Sequence, residues 1–201
     1  MESSSHQSFE DKIKKRFSES IEVKQKAVER LASRIADAAG KMSDSLKNGG
    51  KLIFLGNGGS AADAQHLAAE FVGRFKIERP GLPAMALNTN SSTITAIGND
   101  YSYDEVFSRQ MDAFANEADV VIAISTSGNS ECVCRAVKSA ARKGCFTIGF
   151  TGDGGGRMAN MVDILLDAPA KDTARVQETH ITIGHILCEL VENEVCQASL
   201  V

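Results

Sequence analysis

Three short stretches carry residue types suited to chemistry. Residues 56–71, GNGGSAADAQHLAAEF, set His66 and Glu70 four apart. On a helix that spacing puts an imidazole and a carboxylate on one face, roughly 6 Å apart along the axis, where one small atom could touch both. Residues 125–130, STSGNS, hold four hydroxyls and a glycine directly ahead of an expected helix. Ser and Gly commonly cap helices and form turns, but four hydroxyls exceed what capping needs. Backbone N–H groups at a helix N-terminus, helped by its dipole and nearby hydroxyls, make a phosphate site that requires no lysine. Two such loops on one sheet suit a phosphorylated sugar, with Ser125, Thr126, Ser127 and Ser130 on the phosphate and Asn57, Gly58 and Gly59 near its carbon chain. The third stretch, RVQETHITIGHILCELVE, carries Gln177, His180 and His185 among Ile181, Ile183, Leu187 and Leu190. A polar side chain beside such an apolar surface needs a partner or a ligand. His180 fits a satisfied structural histidine. Asn99 and Asp100, in TAIGNDYSYDE, offer groups to sugar hydroxyls and serve equally as turn chemistry.

The elements that must position these residues follow from the apolar pattern. Runs at 51–55, 83–87, 119–124, 145–150 and 162–166 read as strands, separated by helical stretches at about 61–73, 104–116, 130–143 and 173–196. That alternation describes an α/β fold, a three-layer doubly wound five-stranded parallel sheet with an N-terminal helical extension. Ligands in such sheets bind where loops leave the carboxyl ends of the strands. Val28, Leu31, Ile35, Ala38, Met42 and Leu46 recur at helical spacing ahead of Asn48-Gly49-Gly50, and Phe9, Ile13 and Phe17 suggest an earlier helix on the same plan. This segment either covers its own sheet or packs on a neighbouring subunit. The whole reads as one domain over 8–201, helical at 8–48, with a frayed tail over 1–7 that includes His6. The polar turn at 76–81, KIERPG, reads simply as a connection. Gly56 to Ala61 fits G-x-G-x-x-A, but the acidic residue that a dinucleotide site needs at the end of the second strand is absent from PAMALNTN.

Composition narrows the class further. With 22 basic against 26 acidic residues and no Lys/Arg block, nothing suggests capture of nucleic acid or a membrane surface. Five cysteines without C-x-x-C spacing argue against a disulfide framework or a cysteine zinc site and suit a reduced cytoplasm. No apolar export segment or bilayer-spanning run is present, so a cytoplasmic protein is expected.

Taken together, GNGGSAADAQHLAAEFVGRF, RPGLPAMAL, GNDYSYDEVFSRQ, ISTSGNS and QETHITIGH resemble the phosphoheptose isomerases of the SIS sugar-isomerase fold through nearly the whole chain. The resemblance implies interconversion of sedoheptulose 7-phosphate and D-glycero-D-manno-heptose 7-phosphate. It places substrate contacts on Asn57, Gly58, Gly59, Glu70, Asn99, Asp100, Ser125, Thr126, Ser127, Ser130 and Gln177. It places metal ligands on His66, Glu70, Gln177 and His185, with one zinc per subunit, and implies a homotetramer with its active site at a subunit interface. The chain also resembles the replication-initiator-associating proteins, notably at ERPGLPAMALNTN. Those proteins carry residues unable to do acid–base work at the positions of Glu70 and His185, and this chain keeps both, which favours the enzyme over the adaptor.

Moving a carbonyl between C1 and C2 through an enediol requires a base at carbon, assigned to Glu70, and an acid at oxygen, assigned to His185. A zinc ion would stabilise the developing oxyanion as a Lewis acid. If Glu70 also binds the metal its basicity falls, so it must move between the two tasks or the metal is structural. Gln177 lies outside the usual zinc ligand set, which points to an exchangeable site. Gln177 and His185 are eight residues apart, roughly 12 Å along one helix, a strain for two ligands of one ion. Either they come from different subunits or the helix begins after Gln177.

Overall fold

The computed structural model describes residues 2–197, with side chains from 7 to 196. The five strands are β1 (Leu52–Gly56), β2 (Ala84–Ala86), β3 (Val120–Ile124), β4 (Phe146–Thr151) and β5 (Ile164–Asp167). They form one parallel sheet in the order β2-β1-β3-β4-β5. Every residue of β1 and β3 is buried, which is why both read as unbroken apolar runs rather than alternating ones. Successive side chains still point to opposite layers. Leu52, Phe54, Ile122 and Phe150 pack beneath α1 (Glu2–Lys47), α2 (Gly59–Val72) and α6 (Thr173–Gln197). Ile53, Leu55, Val121 and Ala123 face α4 (Ser108–Phe114) and α5 (Glu131–Arg142), with Ile94 and Ile97 of α3 (Ser91–Asp100) against the same core. The expected three-layer doubly wound sheet is therefore present.

The N-terminal region differs from the sequence reading. In place of two helices there is one, α1, of 46 residues, about 70 Å long at 1.5 Å per residue. No glycine or proline precedes Gly40 to interrupt it. Ala27, Leu31, Ile35, Ala38 and Met42 form its buried stripe, whereas Val28, expected on that stripe, is 60% exposed. One residue turns a helix by about 100°, enough to move a side chain from core to surface. The second half of α1 covers its own sheet. It is anchored by Arg34, whose Nη1 donates to the Leu165 carbonyl at 2.9 Å, and by ion pairs from Arg30 and Arg34 to the buried Asp167. The tail expected over 1–7 falls partly on Met1, outside the described residues, and partly on 2–7, whose backbone continues α1. The side chain of His6 also lies outside the described residues. Among the described residues no helix is long and apolar enough to cross a membrane.

Two details of α6 set the active-site geometry. Gly184 lies so close to α2 that a Cβ there would come within 2.7 Å of both Leu67 methyl carbons. His180 is buried, as a structural histidine would be, but only half satisfied, since its Nδ1 has no hydrogen-bond partner. Its Nε2 donates to the Thr151 carbonyl at 2.9 Å, and its ring meets Phe150 edge-on at 5.5 Å. Burial pushes its pKa down to about 4, against the smaller opposing effect of the Thr151 hydrogen bond, so it is neutral at pH 7.

Gly184→Ala adds about 1 kcal/mol of helix propensity but overpacks a buried leucine, which costs about 1–3 kcal/mol. The clash wins, and a thermal midpoint lowered by a few degrees is expected; a more stable variant would mean that Leu67 moves aside freely. His180 should make stability pH-dependent. Below its unfolded pKa of 6.5 the unfolded chain takes up a proton that the native chain refuses until about pH 4. Stability is thus intact at pH 7 and falls as pH drops from 6.5 towards 4, by at most about 3 kcal/mol. Melting curves across that window should flatten in His180→Gln; an unchanged slope would assign the effect elsewhere.

Candidate active site

The order β2-β1-β3-β4-β5 makes the gap between β1 and β3 the point where the chain reverses its direction of winding, so the loops leaving those strands open a crevice between them. The loop after β1 turns through Gly58, at φ +56°, into α2. That after β3 runs through 125–130 into α5. They meet at a cavity of about 130 Å³ lined by Asn57, Ser60, Ser125, Thr126, Ser130 and Gln177, with Ile124 at its floor. Ser130 is the N-cap residue of α5, yet its hydroxyl makes no capping bond and instead meets Ser125 Oγ at 3.2 Å. This is the surplus of hydroxyls over capping that the sequence shows. Ser127 has a different task, since its Oγ accepts from the Asn129 N–H at 3.2 Å and shapes the turn. Gly59 allows a close approach by Gln177, whose Nε2 would lie 2.5 Å from a Cβ at that position.

Asn57 is held from both sides. The Tyr103 hydroxyl donates to its Oδ1 at 2.9 Å, and its Nδ2 donates to Cys132 Sγ at 3.1 Å. Burial pushes the Tyr103 hydroxyl and the Cys132 thiol up, so both stay protonated. Asn99 and Asp100 end α3 on the surface, where Asn99 Nδ2 donates to Asp100 Oδ1 at 2.9 Å. They do not line the cavity, although the segment they open delivers Tyr103 to Asn57.

The ionisable groups gather further along the two helices, roughly 9 Å of rise beyond Ser60 on α2 and roughly 12 Å beyond Gln177 on α6. Ligand atoms of His66, Glu70 and His185 all lie within 4.8 Å of one another. His66 Nε2 is 2.8 Å from His185 Nε2 and 3.5 Å from Glu70 Oε1. Two imidazole nitrogens and a carboxylate oxygen converging from two helices are a donor set that fits a divalent cation. Gln177 stands apart from the trio along α6, at the cavity. Because α6 is continuous from Thr173, the option of a helix beginning after Gln177 is wrong.

Several residues around the cluster were missed by sequence reasoning. Asp63, one turn before His66, has a buried Oδ2 with no hydrogen-bond partner; burial pushes its carboxyl up, partly offset by His66 and then His185. Phe75 stacks on the His185 ring at 5.6 Å and 23°. The stretch 76–81, expected to be only a connection, wraps a buried ion pair. Glu192 accepts from the backbone N–H of Phe75, Lys76 and Ile77 at 2.9, 2.7 and 3.0 Å, and from Arg79 Nε at 2.8 Å. Burial raises the Glu192 carboxyl, but those donors together outweigh it and hold the group below the usual carboxylate range. Ser60, at the head of α2, is the one polar cavity-lining residue that the sequence reading left out. Nothing in the local pattern marks Tyr103, Phe75, Arg79 or Glu192 as distinct from surface residues.

The comparisons agree with this geometry. A family model described as SIS domain matches residues 16–152. The chain is similar to a phosphoheptose isomerase of Aquifex aeolicus, 53% identical over 94% of this chain and 99% of that one. It is also similar to one of Geobacter sulfurreducens, 58% identical over 84% of this chain and 90% of that one. A solved phosphoheptose isomerase from Neisseria gonorrhoeae superposes with a TM-score of 0.87 at 44% identity, over 92% of this chain and 99% of that chain. The replication-initiator reading gains no support from these likenesses. With the SIS domain over most of its length and relatives above half identity that it spans almost end to end, this chain belongs to the phosphoheptose isomerases and is a sugar-phosphate isomerase.

Proposed function

We propose that the chain converts sedoheptulose 7-phosphate to D-glycero-D-manno-heptose 7-phosphate through an enediol. The observation that carries this reading is the meeting of His66, Glu70 and His185 on the same two helices, α2 and α6, that supply Ser60 and Gln177 to the cup of hydroxyls. The phosphate sits on Ser125, Thr126 and Ser130 and the α5 N-terminus, where dipole and hydroxyls stabilise its charge, and Ser127 shapes the turn that presents them. Asn57, oriented by Tyr103, and the backbone at Gly58 and Gly59 hold the carbon chain, with Gln177 across from Gly59 and Asn99 and Asp100 reaching the distal hydroxyls. Glu70 removes the proton from carbon and returns it to the neighbouring carbon. His185 gives a proton to one oxygen and takes one from the other.

The trio His66, Glu70 and His185 would hold one zinc ion at rest, joined by Gln177 of the partner subunit, since roughly 12 Å of helix rise separates Gln177 from His185 within one chain, and Glu70 would swing off the ion to act as base. Bound there, zinc supplies Lewis-acid stabilisation of developing negative charge on substrate oxygen. The shared site requires an oligomer, and a homotetramer is the proposed assembly. Its support is the apolar stripe of Phe9, Ile13, Phe17 and Ile21, each more than half exposed along α1. Five unpaired cysteines support a cytoplasmic location.

Purified protein incubated with sedoheptulose 7-phosphate should form the aldose. Glu70→Gln and His185→Ala should each lower kcat by about a thousandfold or more, while the phosphosugar still raises the melting temperature; turnover retained in either variant removes that residue from catalysis. A chelator should slow the wild type and added zinc restore it, and indifference to both would argue for a metal-free reaction. Light scattering should give four chain masses for the wild type and a smaller, less active species for Phe17→Asp. A fully active monomer would overturn the shared site.

A further inference from the structure

Residues 73–83 form a loop without regular structure between α2 and β2, and its ends matter because α2 finishes two residues after Glu70. The loop is organised by two charged side chains that water scarcely reaches, Arg79 at 3% and Glu192 at 1% side-chain exposure. Glu192 takes three consecutive backbone N–H groups, those of residues 75 to 77, and so fixes the direction in which Phe75 leaves the chain. Lys76 adds an ion pair to Glu189 at 2.6 Å. His185, Glu189 and Glu192 thus form one face of α6 that grips the loop, at the i, i+4, i+7 spacing of a helix. Arg79 closes the other side, donating to the Glu70 and Phe71 carbonyls at 3.0 and 2.8 Å, where the last turn of α2 lacks partners of its own. Stability alone gives a poor account of this arrangement, because an apolar pair of similar volume commonly does as well as a buried ion pair. Both of its arms end on the reacting groups: Phe75 stacks offset on the His185 ring at 5.6 Å, which His66 also meets edge-on at 5.1 Å, and Arg79 holds the backbone of Glu70.

We propose that Phe75 is a positioning residue for the isomerisation, its ring aligning His185 against Glu70, and that the buried Glu192–Arg79 pair holds the ring there. The inference rests on the reading of Glu70 and His185 as the acid–base pair. The phosphate cup belongs to the β1 and β3 loops, so disturbing Phe75 should spare substrate binding and affect the chemical step. A misalignment of the order of 1 Å costs up to about a hundredfold in rate.

The test is steady-state kinetics on sedoheptulose 7-phosphate with Phe75→Leu, Phe75→Tyr and Arg79→Lys, each also melted. Phe75→Leu keeps an apolar side chain and removes the flat ring, so kcat should fall by about tenfold or more with KM within about twofold. Phe75→Tyr keeps the ring and should recover most of the rate. Arg79→Lys keeps the charge against Glu192 but loses the planar fork that reaches the α2 carbonyls, and should show the same loss in kcat with little change in KM. Phe75→Leu turning over at the wild-type rate, a KM rising in step with the loss, or Phe75→Tyr as slow as Phe75→Leu would each overturn the proposal. An inactive wild type sinks the heptose reading together with this one, whereas an active wild type with an equally active Phe75→Leu sinks this one alone.

Discussion

The active site depends on how closely α2 and α6 approach. Gly184, having no side chain, lets α6 settle against Leu67, and that contact lies between the residues that matter: His66 precedes Leu67, and His185 follows Gly184. To the cluster α2 contributes an imidazole and a carboxylate, and α6 a single imidazole. Their crossing turns these into a three-ligand cluster, with the two Nε2 atoms 2.8 Å apart. Close packing in the layer beneath, where Leu67, Ile183 and Leu187 join Phe54 and Phe71, keeps the approach fixed.

The sheet supplies the other half of the site. Because β1 and β3 are neighbours and their following helices lie on opposite faces, two helix N-termini open towards one crevice. The cup is uncharged: its polarity comes from hydroxyls, amides and backbone dipoles. Such a cup can stabilise an anion without a lysine.

Charge is spent elsewhere, at the joints. Arg30 and Arg34 fasten α1 to the end of β5, Lys51 meets the buried Asp119 at 2.6 Å, and Arg79 meets Glu192. Each joins an element to a loop or strand end with unsatisfied backbone groups. These pairs, each with a buried carboxylate, therefore fix where elements end, while apolar packing fixes how they layer.

Much of this was legible in the amino-acid order. Buried parallel strands must be apolar on both faces, so five runs announced five strands. The i, i+4 spacing of His66 and Glu70 announced a shared face, and the excess of hydroxyls in STSGNS announced side chains free to line a cavity. Other features needed the folded chain. His185 lies 119 residues from His66, and only the helix crossing brings them together. Val28 and Ala27 are both apolar neighbours on α1, and the rotation of a 46-residue helix against its sheet decided which was buried. KIERPG reads as a solvated turn because Arg and Glu ordinarily keep their water. Glu78 does stay in water, paired with Arg74 at the surface, but tertiary structure reversed the expectation for Arg79 by bringing it Glu192 of α6, which also accepts from three backbone N–H groups. Local sequence determines what a residue can bond to, and the tertiary structure decides which partners arrive, because desolvation depends on atoms distant in the chain.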